Sequence, residues 1–384
     1  MILEAITAAF RGTGRRLRPA ALGTPAQTRW VLSVMRSAAD RTGQPLSVVV
    51  FRPRTRSATA ATWEVFGREL PPRLRATDSA GWLDAHRIAA ILPFTPTAGA
   101  WKVAEDICRL FPATVPQPLV EVLTYPSGDL EIEWGARSRG GDPFDLLAGG
   151  SINLPMSASD HTPVEVRHPG AREDCRATPL ESEFHRCMPV FKRAVDVLGA
   201  GLGLLILLPA LPVVALAVKL SSPGPLFFKQ RRAGWGGRPF LMWKFRTMVA
   251  DAEARKAELM ALNEQDGPAF KIKRDPRVTT VGRFLRTTSI DELPQLWNVL
   301  MGDMSLVGPR PLPVAEAERC EQWQRRRLDV VPGLTCIWQV RGRSAVTFDE
   351  WVRMDLEYIE RQSLAVDLGL IAQTVPTMVR RKGG

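Results

Sequence analysis

Hydrophobic positions in the first third of the chain follow two periods in turn. Trp30, Val31, Val34 and Met35 recur at helical spacing and predict an amphipathic helix over residues 28–41. The unbroken apolar run from Leu46 to Phe51 predicts a buried strand, and a second helix is expected over residues 62–69. Residues 79–83 and 87–92 form two short strands around Asp84-Ala-His, the pattern of a hairpin. Ala100, Val103, Ala104, Ile107 and Leu110 line one side of a helix over residues 97–111, and residues 120–125 make a further strand. Strands interleaved with packing helices predict a soluble α+β domain over residues 26–135. An unpatterned basic arm, residues 1–25, precedes it. Residues 136–188 are rich in Gly, Pro, Ser and His, have no period, and are expected to be a linker.

The pattern changes again at residue 197. Val197 to Val218 holds no charged side chain and has the length of a membrane helix. A buried core helix would show the same composition, but two features favour a membrane segment of unusual form. Pro209 and Pro212 each remove a helix hydrogen bond, which costs about 3 kcal/mol in an isolated helix. Lys192 and Arg193 precede the run, and Lys219, Lys229, Arg231 and Arg232 follow it. Cationic flanks prefer the cytoplasmic side. Satisfying both predicts a re-entrant helix over residues 191–220 that enters, breaks near Pro209 and returns to the face it left.

Charge supports the same division. The 384 residues carry a formal net charge of +11. Residues 189–384 hold 29 basic and 20 acidic side chains, against 22 and 20 in residues 1–188. The excess in the second half implies an anionic partner: nucleic acid, anionic lipid or a phosphorylated ligand. No helix-turn-helix or aromatic-basic signature supports nucleic acid. Five Cys with no CxxC, and four His with no HExxH, argue against a disulfide framework or structural zinc and fit a reducing compartment. Arg11, Arg15, Arg16 and Arg18 follow the short N-terminal apolar stretch rather than precede it, unlike a signal peptide.

Candidate chemistry centres on Ser289-Ile-Asp-Glu-Leu-Pro-Gln-Leu-Trp-Asn298. Ser289 and Glu292 have capping-box spacing, which predicts a helix starting there with Asp291 and Glu292 in its first turn. Free N–H groups at such a terminus hold carboxylates as anions, and an ionised Asp can act as a nucleophile. Acidic first turns are also common where there is no chemistry. Arginines in turn-rich stretches on either side change the picture: Val281-Gly-Arg-Phe-Leu-Arg286, Gly302-Asp-Met-Ser-Leu-Val-Gly-Pro-Arg-Pro311 and Gln339-Val-Arg-Gly-Arg343. Arginine binds phosphate bidentately. Carboxylates and arginines together point to metal-assisted phosphoryl transfer.

Residues 189–382 resemble the bacterial sugar transferases, the monotopic phosphoglycosyl transferases. The motifs that carry the resemblance run in family order: Phe191-Lys-Arg-Ala-Val-Asp196, the Pro-broken apolar helix, Ser222-Pro-Gly-Pro-Leu-Phe-Phe-Lys-Gln-Arg231, Trp243-Lys-Phe-Arg-Thr-Met248, Asp275-Pro-Arg-Val-Thr279, Asp291-Glu-Leu-Pro-Gln295, Gly302–Pro311, Pro332-Gly-Leu-Thr335, Asp355 to Ile359 and Asp367-Leu. The resemblance implies an α/β fold: a monotopic membrane protein with a re-entrant helix and a small α/β catalytic domain over residues 189–384. It implies transfer of a sugar-1-phosphate from a nucleoside diphosphate sugar, expected to be a UDP-hexose, to polyprenyl phosphate, expected to be undecaprenyl phosphate. That reaction starts exopolysaccharide or O-antigen type glycan assembly at the cytoplasmic face of the bacterial inner membrane. By the same carry-over Asp291 is the nucleophile and holds Mg2+, and Glu292 is its acidic partner. Arg286, Arg310, Arg343, Lys244 and Arg246 contact substrate, while Lys192, Arg193, Pro209 and Pro212 belong to the membrane element.

Two positions depart from the family pattern. Leu208-Pro209 stands where Ser-Pro is frequent, and Cys336 stands where Gly is favoured. Trp351, Met354, Tyr358, Ile359 and the helix expected over 364–379 suit either interfacial helices or core-facing stripes. Arg325, Arg326 and Arg327 suit either anionic lipid or a solvated face. Residues 28–125 more distantly resemble a degenerate GGDEF-type domain, the ferredoxin-like fold of diguanylate cyclases, through Arg87-Ile-Ala-Ala-Ile-Leu-Pro93 and the helix after it. Asp84-Ala-His-Arg-Ile88 stands where the signature turn would be, which implies a domain without catalysis and a candidate for self-association. The competing expectation is a nucleotide-sensing regulatory or scaffold membrane protein with an inactive transferase domain.

Overall fold

The computed structural model describes residues 22–53, 60–111, 117–126, 178–272, 274–341 and 346–379. They fall into two compact units that divide between Phe184 and His185.

The first unit opens with α1 (Pro25–Thr42). Thr24 and Gln27 exchange the reciprocal hydrogen bonds of a capping box, and Gly43 closes the helix in the left-handed conformation. There follow β1 (Leu46–Arg52), α2 (Ala60–Glu69), β2 (Ser79–Trp82), β3 (Ile88–Pro93), α3 (Thr97–Arg109), β4 (Leu119–Tyr125) and β5 (Thr178–Pro179). The sheet order is β2-β3-β1-β4-β5, with β1 antiparallel to both β3 and β4. A central β1 in a β-α-β-β-α-β sequence is the ferredoxin-like arrangement. The unbroken apolar run of β1 now has its reason, because both sheet faces are covered. Val49 and Phe51 meet α2 and α3, while Val48 and Val50 meet α1.

The expected linker over 136–188 needs correction at its end. Residues 178–184 belong to the first unit: β5 pairs parallel with β4, Leu180 is fully buried, and Arg87 Nη1 donates to Glu183 Oε1 at 2.7 Å. Residues 127–177, and residues 1–21 of the expected N-terminal arm, lie outside the described residues.

The second unit is organised by α4 (Val190–Ser221), a 32-residue helix. After it come the antiparallel hairpin of β6 (Phe227–Ala233) and β7 (Pro239–Phe245), then α5 (Thr280–Thr288), α6 (Gln295–Met301) and β8 (Ser305–Val307). The short helices α7 (Val314–Glu318) and α8 (Gln322–Arg325) lead to β9 (Gly333–Thr335), which pairs parallel with β8. Three helices, α9 (Ile337–Arg341), α10 (Phe348–Arg361) and α11 (Leu364–Val379), close the unit.

The helix α4 does not break at Pro209; it stays helical through both prolines. Its packing supplies what the missing hydrogen bonds do not. Leu207, Val214 and Val218 are buried against Phe245 and Leu285, on either side of the prolines. Together with Lys192, Asp196 and Ala200 they form one buried stripe along the whole helix. At Gly199 and Gly203 the approach is so close that a Cβ would stand 2.6 Å from Leu306 Cδ1 and 2.7 Å from Leu296 Cδ1. The other face is bare and apolar: Leu198, Leu205, Ile206, Leu208, Val213 and Leu220 are all more than 60% exposed. Such a contiguous apolar face marks an interaction surface.

Lys192 and Arg193, expected in the membrane element as its cationic flank, anchor α4 to its own unit. Lys192 Nζ, 3% exposed, donates to Asp367 Oδ2 at 2.8 Å, Val307 O at 2.9 Å and Tyr358 Oη at 3.1 Å. A buried carboxylate such as Asp367 needs a paired cation. Arg193 caps the end of α6 through the carbonyls of Val299 and Leu300, both at 2.6 Å. At the far end of α4, Arg246 donates to Ser222 O at 2.6 Å and Pro223 O at 3.0 Å. Both ends of α4 are thus fastened to one body, and its 32 residues amount to about 48 Å of helix.

That geometry predicts a labelling result. Cys187 is exposed just before α4, and a cysteine at Ser222 would follow it. In sealed vesicles both should react with an impermeant maleimide from the same side; reaction from opposite sides would mean that α4 spans the bilayer.

Candidate active site

The capping box expected at Ser289 does not form. Ser289 instead ends α5 in the left-handed region, with φ 58°, and its side chain makes no capping hydrogen bond. Residues Ile290–Glu292 form a 3₁₀ turn, and α6 begins only at Gln295. A non-glycine residue held at positive φ is strained, and such strain gathers at functional sites. Here it turns the chain inward one residue before the two carboxylates, and Asp291 is 6% exposed.

The carboxylates have different surroundings. Glu292 accepts from Lys244 Nζ at 3.2 Å and from both terminal nitrogens of Arg310. Lys244 reaches it because Asn298 on α6 clamps β7: its Oδ1 accepts from Trp243 N at 3.1 Å and its Nδ2 donates to Leu241 O at 2.7 Å. Arg310 is steadied from behind, where Arg327 Nη2 donates to its carbonyl at 2.6 Å and pairs with Asp355 at 2.7 Å. Arg327 is therefore buried structure rather than a lipid contact, and Tyr358 and Ile359 lie in the core with Val307 and Leu370. Arg286 is set by Thr247, whose Oγ1 accepts from its Nε at 2.9 Å.

Asp291 makes no hydrogen bond with any described residue, although Lys244, Arg286 and Arg310 act on it electrostatically. Burial, and then the charge of Glu292, raise its carboxyl to about 6 against the pull of those three cations. Burial would raise Glu292 too, but Arg310 and Lys244 outweigh it and hold the carboxyl far below the usual range. Burial lowers Lys244, opposed by Glu292. Two adjacent carboxylates with affinities pushed apart are a recurring device for dividing chemical roles.

Of the residues expected to bind substrate, Lys244, Arg286 and Arg310 converge on this pair. Arg246 does not contact it and holds the end of α4. Arg343 lies outside the described residues. The sequence reading missed Thr247 and Asn298, which position others, and Arg232, one residue past the motif that ends at Arg231. Among the described residues no cluster of three or more His, Cys, Asp or Glu side chains could enclose a metal. At this site Asp291 is the carboxylate without a hydrogen-bond partner among the described residues. That donor set fits Mg2+, which is held by one or two carboxylates completed by substrate phosphates and water, and does not fit a protein-enclosed zinc site.

Comparison with known proteins yields one family and several relatives. The family model described as bacterial sugar transferase matches residues 187–381. The galactosyl transferase CpsE of Streptococcus agalactiae is 44% identical over 196 residues, 50% of this chain and 43% of that protein. The exopolysaccharide production protein ExoY of Rhizobium meliloti is 38% identical over 196 residues, 50% of this chain and 87% of that protein. The UDP-glucose:undecaprenyl-phosphate glucose-1-phosphate transferase of Caulobacter vibrioides is 44% identical over 199 residues, 49% of this chain and 69% of that protein. The chain thus spans less than half the length of the Streptococcus relative. The solved DGC protein from Thermotoga maritima aligns with 30% of this chain and 90% of its own, at 14% identity and a TM-score of 0.27, too low to relate the first unit to it.

The two carboxylates should respond oppositely to neutralisation. Asp291 binds its proton more tightly when folded than an unfolded Asp does, so its charge at neutral pH works against folding, on the order of 3 kcal/mol. Asp291→Asn should melt at or above the wild-type temperature. Glu292→Gln strips Lys244 and Arg310 of their counter-ion and should cost about 3 kcal/mol. Thermal melts in detergent check both; a stabilised Glu292→Gln would contradict the assignment.

Proposed function

This chain belongs to the bacterial sugar transferase family, and on that premise we propose that it transfers a sugar-1-phosphate from a nucleoside diphosphate sugar, a UDP-hexose, to polyprenyl phosphate. The observation that carries this reading is the asymmetric carboxylate pair: Glu292 tied to two cations, and Asp291 buried beside it with no hydrogen-bond partner among the described residues. An inactive scaffold has no use for a carboxylate kept buried and free at a cost to stability.

The chemistry follows from that asymmetry. A carboxylate oxygen of Asp291 attacks the phosphorus that bears the sugar. The bond from that phosphorus to the oxygen of the second phosphate breaks, and its electron pair leaves with the nucleoside monophosphate. An oxygen of polyprenyl phosphate then attacks the same phosphorus, Asp291 departs as carboxylate, and polyprenyl diphosphate sugar results. Burial removes the water shell that would blunt the nucleophile. Lys244, Arg286 and Arg310 supply fixed positive charge for the equatorial oxygens of each transition state. Glu292 keeps Lys244 and Arg310 in place and, as a permanent anion, holds back the full positive field that would make Asp291 a weak nucleophile. Mg2+ bound at Asp291 and the diphosphate would neutralise substrate charge when present.

The bare face of α4 suits lipid. We place it in the cytoplasmic leaflet, with both ends of α4 at the membrane surface, so that the lipid phosphate meets the site at headgroup level.

Asp291→Asn should lower turnover at least a thousandfold while the protein stays folded and vesicle-bound. In the wild type, steady-state release of UMP from a UDP-hexose should require both polyprenyl phosphate and Mg2+. Unchanged turnover in the Asn variant would overturn the mechanism.

A further inference from the structure

We propose that Arg232, which no sequence motif singled out, binds the phosphate opposite the nucleophile, the one that leaves with the nucleotide. The inference rests on the reaction proposed above and adds a residue to its site.

Three observations carry it. Strand β6 delivers Arg232 to the loop that holds Arg310: Arg232 Nη1 donates to Pro311 O at 2.8 Å, and Ala233 N donates to Leu312 O at 2.9 Å. That bond is the only one its guanidinium makes with the described residues, and its Nε is buried without a partner. A buried donor left unpaired beside a reaction centre points to a ligand that completes it. Finally, the charges that act on Arg232 are those of Arg310, Glu316, Glu292 and Glu253, and Arg310 repels it. Glu316 is already paired with Lys256 at 3.4 Å. Arg232 thus joins Arg310 and Lys244 around Glu292, three cations about one carboxylate, and that imbalance suits a phosphate.

The order of these groups gives Arg232 its particular role. Arg286, Lys244 and Arg310 are the cations that act most on Asp291. Arg232 is not among them, yet it acts beside Arg310 and Glu292. Hydrogen bonds run from Glu292 to Arg310 and, through the Pro311 carbonyl beside it, end at Arg232, a chain in which Asp291 has no part. In-line displacement sets the leaving oxygen opposite the attacking one, which is the Arg232 end. The leaving phosphate and the lipid phosphate that replaces it share this chemistry, and we assign Arg232 to the nucleotide.

The test compares UMP with uridine by calorimetry on the full chain in detergent with Mg2+. Arg232→Gln should weaken UMP binding about tenfold and leave uridine binding unchanged; Arg232→Lys should recover part of the loss. Thermal melts ensure that only folded variants are compared. Equal loss for UMP and uridine would mean a structural role and overturn the inference. So would unchanged UMP binding, including the case where only the KM for polyprenyl phosphate rises, which would give Arg232 to the lipid instead. No UMP binding by the wild type would overturn the donor assignment itself.

Discussion

The ion triad of Glu292, Lys244 and Arg310 is the interaction on which the second unit turns. It joins three segments distant in sequence: the end of the β6–β7 hairpin, the 3₁₀ turn after α5 and the Pro309–Pro311 loop. Each partner is fixed independently, Lys244 through the Asn298 clamp on β7 and Arg310 through Arg327 and Asp355. Truncating one member of a buried pair leaves the other charge uncompensated, so the triad holds only as a whole. Its consequence for chemistry lies one residue away. Because Glu292 absorbs two cations, Asp291 can remain buried, unpaired and reluctant to ionise, and strain at Ser289 keeps it there.

The same body also carries the bare apolar face of α4. Lys192 to Asp367, Asp196 to Ser305 and Leu306, and Arg246 to the end of α4 fasten both ends of one apolar helix to the unit that carries the carboxylates. The carboxylates and the bare apolar face of α4 are therefore parts of one unit, an arrangement that supports the proposed meeting of a soluble sugar nucleotide with a phosphate embedded in lipid. Phe284 and Met301, on the two helices that pack against α4, are also exposed and enlarge the apolar surface.

Elements whose residues face one environment were legible from sequence. The amphipathic helices and the doubly buried β1 of the first unit lie within a few residues of where periodicity put them, because burial on one or both faces writes itself into spacing. Positions decided by tertiary partners were not. Ser289 and Glu292 have capping-box spacing, but α5 already runs up to Ser289, so the local signal lost to the turn. Lys192 and Arg193 were legible only as a cationic flank of the apolar run; their partners, Asp367 and the carbonyls of α6, lie more than 100 residues away. Arg246, expected to bind substrate, and Arg327, expected on anionic lipid or a solvated face, are likewise held by partners distant in sequence. The roles expected of Asp291, Glu292, Lys244, Arg286 and Arg310 come from resemblance, and what the structure adds is that Glu292 is paired while Asp291 has no hydrogen-bond partner among the described residues.

Direct observation of the covalent species tests the central claim that Asp291 is the nucleophile. Intact-mass and peptide analysis of the protein, incubated with UDP-hexose and Mg2+ but no lipid acceptor, should show a hexose-phosphate adduct on the peptide containing Asp291. The adduct should vanish when polyprenyl phosphate is added. Absence of any adduct, with UMP released only when the acceptor is present, would mean direct transfer between the substrates and would contradict the account.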